Sequence, residues 1–190
     1  VELKDWASVV DLLPDVRKAD WMGREALTTL EIQAYAGLLS DVVDEHALAN
    51  VWCSMPKQVQ RYPDIVFVYA QKLMAFDQLS QAEQVLRASL DDAWNNKLIM
   101  LYAKLDSNID YQYTVAQSWL KQHPNSGELL FALARFSEQL KFFGQAHTYY
   151  ESCLKVSSRV DMYKHYIEFL IAQNDKDRAL SKSLEALHIK

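Results

Sequence analysis

The hydrophobic positions of this chain follow the period of an α-helix along most of its length. In one clear stretch, Ala82, Val85, Leu86, Ser89 and Leu90 fall at the spacings i, i+3, i+4, i+7 and i+8. That spacing puts small and apolar side chains on one face of a helix, where they can be buried. The pattern predicts an all-α fold.

A ladder of small and apolar residues recurs three times along the chain. Each ladder has two residues twelve positions apart, and further small or apolar residues follow the second one at four, seven and eight positions. The paired residues are Ala70 and Ala82, Ala134 and Ala146, and Ile167 and Ala179. Small residues at these sites let the two helices of a hairpin approach closely. The ladder is typical of tetratricopeptide (TPR) repeats and predicts a right-handed α-solenoid of helix hairpins.

The ladders set the expected domain organisation, which is one solenoid over residues 1–190. The predicted parts are a truncated first helix with an irregular hairpin over 1–62, and TPR-like hairpins over 63–92, 94–124, 126–158 and 160–190. Ala82 to Ala116 is a step of 34 residues, but Ala116 to Ala146 is only 30, so we expect an irregular middle unit.

Local signals place several helix ends. We expect Pro14 to end the first helix, and that helix to lack a hairpin partner, as in a fragment cut from a longer protein. Ser80 and Glu83 have the spacing of a capping box. Ser126 and Asp175 precede later helices as N-cap residues.

Composition narrows the possible functions. Only four Gly and four Pro occur in 190 residues, which favours long helices with short connections. A formal charge of −5 argues against nucleic-acid binding, which needs a clustered basic face. Cys53 and Cys153 stand alone in helical patterns, so we expect two buried thiols in a reducing compartment.

Three stretches resemble the C-terminal TPR region of the proteobacterial HemY family of protoheme IX biogenesis proteins. They are residues 51–70 (VWCSMPKQVQRYPDIVFVYA), 6–14 (WASVVDLLP) and the hairpin over 127–155. The third has Ala134 where the family tends to Gly. An unrelated flavin-dependent oxidase also called HemY does not fit, because the chain has no GxGxxG motif.

The resemblance implies a role and a place. It implies an inner-membrane protein of Gram-negative bacteria, anchored by N-terminal helices outside residues 1–190, with this region on the cytoplasmic side. It also implies a scaffold that holds late haem-biosynthesis enzymes and guides their porphyrin intermediates. The alternatives are a general TPR adaptor in envelope assembly or secretion, and a direct haem-binding carrier.

Chemistry-bearing residues do not form a catalytic or metal-binding motif in the sequence. GxSxG, HExxH and P-loop patterns are absent, and the five His are scattered, so we predict neither an enzyme nor a metal site. Haem ligation by His147 or His165 is the less favoured alternative, because His147 neighbours Tyr150, a position that repeats of this kind normally bury.

The predicted working surface is the concave face, formed by the first helix of each hairpin and suited to binding a partner protein. Its outward positions are Asp64, Phe67, Gln71, Met74, Glu128, Phe131, Arg135, Glu138, Asp161, His165 and Glu168. Phe67, Met74 and Phe131 are apolar where a solvated face would be polar, so they are candidate anchors. The alternative is that these three side chains pack against adjacent repeats.

Overall fold

The computed structural model describes residues 5–19 and 22–188, and it divides into two compact units, Val1–Leu101 and Tyr102–Lys190. Within the described residues every regular element is helical, eleven α-helices and one short 3₁₀-helix, so the all-α prediction is confirmed. None of these helices combines the length and apolar character needed to cross a bilayer.

The helices follow one another with short connections. The first unit contains α1 (Trp6–Ala19), α2 (Arg24–Asp41), α3 (Glu45–Ser54), the 3₁₀-helix (Val59–Arg61), α4 (Pro63–Ala75) and α5 (Leu79–Asp92). The helix α6 (Asn96–Tyr102) runs to the start of the second unit. The second unit continues with α7 (Ile109–Leu120), α8 (Gly127–Gln139), α9 (Phe143–Val156), α10 (Val160–Ala172) and α11 (Lys176–Ala186).

Three helix pairs are joined by the same three-residue turn. These are α4 with α5, α8 with α9, and α10 with α11, and the two helices of each pair pack on each other. The middle residue of each turn is left-handed: Asp77, Lys141 and Asn174 have φ of 60°, 61° and 59°. The next amide then donates back into the first helix, from Gln78 to Leu73, Phe142 to Ser137 and Asp175 to Leu170, at 2.8, 2.8 and 2.9 Å. This bond pattern ends each first helix and reverses the chain.

The small residues of the first two ladders lie in the helix-pair interiors. Ala70, Ala82, Ala134 and Ala146 are all 0% exposed. The third ladder differs at its end, since Leu187 is 78% exposed. The helix α6 is short, with seven residues, and a six-residue segment, 103–108, separates it from α7.

The start of α8 approaches the end of α9 closely at Gly127. A Cβ atom on Gly127 would lie 2.5 Å from the Cβ of Ser157, which caps α9. The Cys153 thiol donates to the Gly127 carbonyl at 3.2 Å, and burial raises the pKa of that thiol to about 12. The expectation of two buried thiols holds for Cys153 but is wrong for Cys53, which is exposed because it lies on the open side of α3.

The first helix corrects two expectations. It continues through Pro14 to Ala19, and it has a partner, because it packs along α2. A helix-internal proline costs about 3 kcal/mol, and next to it Leu13 is buried and Arg17 pairs with Glu31 of α2. The long helix α2 also contacts α3 and α4, so α2 and α3 do not form an isolated hairpin.

Two of the predicted helix caps are confirmed and one is wrong. Ser126 accepts from the Leu129 amide at 3.2 Å, and Asp175 accepts from the Arg178 amide at 3.2 Å. The Ser80–Glu83 capping box does not form, because the turn at Asp77 already starts α5 at Leu79. The Glu83 carboxylate instead accepts from Arg87 within the helix.

Replacing an exposed lysine by glycine should have opposite effects on stability at two positions, one in a left-handed turn and one within a helix. Lys141→Gly should raise the free energy of unfolding by about 1 kcal/mol, because glycine adopts positive φ without a Cβ penalty. Lys164→Gly, in the middle of α10, should lower it by about 1 kcal/mol. Urea denaturation followed by circular dichroism measures both, and equal destabilisation by the two variants would contradict the turn geometry.

Candidate functional site

In the first unit, the structure brings two of the predicted surface residues of α4 together through a lysine. Lys97 Nζ lies 2.7 Å from the Asp64 carboxylate and 4.4 Å from the centre of the Phe67 ring. Gln71 is exposed and Met74 half-buried on the same helix. Sequence reasoning missed Lys97, although it lies 33 residues after Asp64 and the repeat step would have indicated the pairing.

In the second unit, Arg159 joins the starts of α8 and α10. Its guanidinium makes a two-pronged contact with the Asp161 carboxylate, at 3.0 and 2.7 Å. It also lies 3.6 Å from Glu128 on α8. The bidentate bond from Arg159 holds the pKa of Asp161 below its usual range. Arg159 was not among the predicted site residues, because it precedes α10 and has no place in the helical pattern.

His165 lies one helical turn after Asp161 on α10. Its ring packs on Phe131 with centres 5.3 Å apart, and Nδ1 lies 3.7 Å from Glu168. Burial and the nearby Arg135 guanidinium lower the pKa of His165, against the opposing effect of Glu168, Asp161 and Glu138.

The expectation that Phe131 is an outward anchor is wrong. Phe131 is 2% exposed, since the His165 ring and the Tyr150 ring cover it. The alternative, packing against the neighbouring helix pair, describes this residue. Whether the surrounding charged residues bind a partner stays a prediction.

Glu138 is fixed by a hydrogen bond from the core. The Tyr150 hydroxyl donates to its carboxylate at 2.9 Å, and burial followed by the Glu138 charge raises the pKa of Tyr150. Tyr150 is 1% exposed, as its place in the ladder predicts. The hydrogen bond therefore holds the Glu138 carboxylate next to the buried Tyr150 ring.

The face formed by α8 and α10 is acidic overall. We define the α8–α10 face as Arg159 together with the predicted residues on these two helices. It carries four carboxylates and two guanidinium groups: Glu128, Glu138, Asp161, Glu168, Arg135 and Arg159. Lys164 of α10 lies 3.9 Å from Glu168, which leaves an excess of one negative charge. Such a surface is complementary to a partner segment with excess positive charge.

The surroundings of His147 do not fit haem. The Tyr166 hydroxyl donates to Glu151 at 2.8 Å and lies 3.2 Å from His147 Nδ1, so Nδ1 of His147 already has a hydrogen-bond partner. The adjoining groove, about 470 Å³, is lined mainly by polar and charged side chains, among them Thr148, Glu151 and Arg178. A porphyrin is a large apolar ring, and such a lining offers it little apolar surface.

The second candidate haem ligand, His165, is also unsuited. Its ring is packed against Phe131 and ringed by charged groups, as described above. Among the residues that the structure describes, no three His, Cys, Asp or Glu side chains cluster as metal ligands.

The two half-buried histidines predict a specific pH dependence of stability. Burial lowers the pKa of His147 and His165 below 6.5, so the unfolded chain binds these protons first as the pH falls. Stability that is present above pH 6.5 should therefore be lost progressively below it. In the double variant His147→Gln/His165→Gln, the fall in the free energy of unfolding between pH 7 and pH 5 should be shallower.

The matched control is His46→Gln, which removes an exposed histidine from α3. Urea titrations at several pH values give the slope for each protein. If the free energy of unfolding of the double variant falls with pH as steeply as that of the wild type, folding does not lower the pKa of these two histidines.

Comparison with known proteins gives a distant similarity. No known family profile matches the chain. Over 106 residues, 54% of its length, the chain is 24% identical to Protein HemY of Escherichia coli K12, and the same holds for Protein HemY of Escherichia coli O157:H7 and of Shigella flexneri. The matched stretch spans 27% of each of these relatives, so the similarity concerns about a quarter of a longer protein.

Proposed function

We propose that this chain is a non-catalytic adaptor that binds other proteins through its helix pairs. The observation that carries the proposal is the α8–α10 face, where charged side chains are fixed in position over buried aromatic rings. The proposed partner surface is a segment with excess Lys and Arg.

The aromatic layer under this face supports a preorganised binding surface. Tyr150 and Tyr166 stack with ring centres 4.9 Å apart and an interplanar angle of 20°. Phe169 adds to the stack, 5.6 Å from Tyr150. Rings buried in this way hold α9 against α10, so little conformational entropy would be lost when a partner binds.

The finer fold assignment belongs to this proposal: a right-handed TPR solenoid with the partner on its concave side. Its support is the repeated turn. The left-handed residues Lys141 and Asn174 are 33 positions apart, and Asp77 precedes Lys141 by 64, close to two TPR repeats of about 34 residues.

The pathway and location are proposed from the similarity to Protein HemY. On this proposal the chain helps to organise late haem-biosynthesis enzymes, as part of an inner-membrane protein with this region on the cytoplasmic side. A general adaptor in envelope assembly or secretion is the second candidate, because an acidic helix face does not by itself select a pathway.

Capture experiments with the full-length protein test this function. The intact protein, affinity-tagged and solubilised from its own membranes, should recover at least one enzyme of haem synthesis. Asp161→Lys/Glu168→Lys should reduce recovery about tenfold, because it reverses two charges on the α8–α10 face. Asp177→Lys on α11 is the matched control and should leave recovery unchanged.

The two parts of the proposal fail separately. If proteins of envelope assembly are recovered reproducibly in place of haem enzymes, the pathway is wrong while the adaptor role stands. If charge reversal at Asp161 and Glu168 leaves recovery at the control level, the α8–α10 face is not the binding surface.

A hemin titration distinguishes the adaptor from a direct haem carrier. We expect the Soret band of added hemin to be the same with the wild-type chain and with His147→Ala/His165→Ala, since neither histidine lies in an apolar cleft. A saturable one-to-one Soret shift that disappears in the double variant would contradict this expectation and favour the carrier.

A further inference from the structure

A second candidate binding site lies in the first unit, away from the predicted surface positions of α4. It is a cleft of about 430 Å³ between the segment that follows α3 and the last turns of α5. Trp52, Val66, Val85 and Ala88 give it an apolar lining. Its volume is within the range of about 300–1,000 Å³ found for ligand pockets.

The walls of the cleft are fixed by contacts within the unit. Gln60, in the 3₁₀-helix, donates to the backbone carbonyls of Trp52 and Met55 at 2.6 and 3.2 Å. The Trp52 ring stacks on Tyr69 of α4, with centres 3.7 Å apart and planes within 4° of parallel. These contacts hold the cleft open without a ligand, so binding requires little rearrangement.

Positive charge is concentrated at one side of this apolar lining. Lys57 and Arg61, both exposed, come from the segment after α3, and Asp92 at the end of α5 is the one acidic residue in the lining. Lys57 is engaged with the Gln60 side chain at 3.2 Å. The Arg61 guanidinium has no side-chain bond or ion pair with any described residue, in a chain whose formal charge is −5.

We propose that this cleft binds a carboxylate that stands next to a bulky apolar group, as a segment of a partner protein presents it. The apolar group would lie against Trp52 and Val85, and the carboxylate would accept hydrogen bonds from Arg61. A planar guanidinium suits this role because it can donate two parallel bonds to one carboxylate. The inference deepens the proposed adaptor function, and it rests on that function for the ligand being part of a protein.

A minimal probe carries both chemical groups. N-acetyl-phenylalanine has an aromatic ring beside a free carboxylate, and N-acetyl-phenylalaninamide is the same molecule without the charge. Titrated into the ¹⁵N-labelled chain, the acid should shift the Trp52 indole N–H signal saturably, and it should bind about three- to tenfold more tightly than the amide. The variant Trp52→Phe identifies that signal by its loss.

Variants at exposed positions of the cleft separate the charge from the apolar lining. Arg61→Gln should abolish the preference for the acid, and Arg24→Gln, an exposed arginine in α2, should preserve it. Asp92→Asn should strengthen binding of the acid about twofold, because it removes the one carboxylate that repels the ligand. Ala88→Glu should abolish binding of the acid by placing a negative charge in the lining.

Three outcomes would overturn the inference. They are the absence of any shift at Trp52 with the acid, equal affinities for acid and amide, and an acid preference that survives Arg61→Gln with the thermal unfolding midpoint unchanged. None of them affects the capture experiment, which depends on the α8–α10 face, so failure of this inference can be distinguished from failure of the proposed function.

If the acid binds, two peptides identify the source of the carboxylate. One ends in Phe with a free C-terminus, and the other has an internal Phe-Asp pair with both ends blocked. Tighter binding of the first assigns the cleft to a partner's C-terminus, and tighter binding of the second assigns it to an internal acidic segment. If neither peptide binds better than the free amide probe, the ligand is not a protein segment.

Discussion

The left-handed residue between paired helices is the constraint on which the rest of this architecture depends. A three-residue link can join two packed helices only if the backbone turns sharply, and φ near +60° at its middle residue provides that turn. The amide that follows then closes a hydrogen bond into the first helix, which fixes where the helix ends. Once the turn is set, the second helix must return along the first, and the buried alanines allow the two to approach closely. None of the three positions is glycine, so the left-handed backbone is conformationally strained at each of them.

The α8–α10 face shows how a buried layer organises a charged surface. The rings below it are buried, and several groups above it contact those rings or one another. Tyr150 donates to Glu138, His165 packs on Phe131, and Arg159 pairs with both Glu128 and Asp161. Exposed ion pairs contribute little to folding stability. Under the proposed adaptor function, their ordered arrangement would present carboxylates to a partner in positions that are already set. The cleft beside Trp52 follows the same principle with the opposite charge, since a ring stack fixes its wall and a guanidinium stands at its edge.

Sequence reasoning predicted the helical class, the buried alanines at 82 and 146, and the caps at Ser126 and Asp175, because each depends on neighbours close in the chain. It was wrong at Pro14 and at Ser80, where packing on α2 and the preceding turn overrode a local preference. It missed Lys97, Arg159 and the cleft, which arise from side chains that meet only after folding. Seven of the predicted surface residues do lie on α8 and α10, but the burial of Phe131 depends on a ring 34 positions away. Periodicity identifies which side of a helix a residue occupies, and it does not say what covers that side.

The close approach of Gly127 to Ser157 links the size of the residue at position 127 to the ion pair between Glu128 and Arg159. Gly127 immediately precedes Glu128, and Ser157 lies two positions before Arg159, so the same backbone contact positions both ends of that ion pair. A larger residue at either site would push the two chain segments apart and lengthen the Glu128–Arg159 contact along with them. Divergent sequences that keep this face should therefore vary positions 127 and 157 together, one remaining small whenever the other grows. The absence of a side chain at position 127 is therefore part of what sets the geometry of this ion pair.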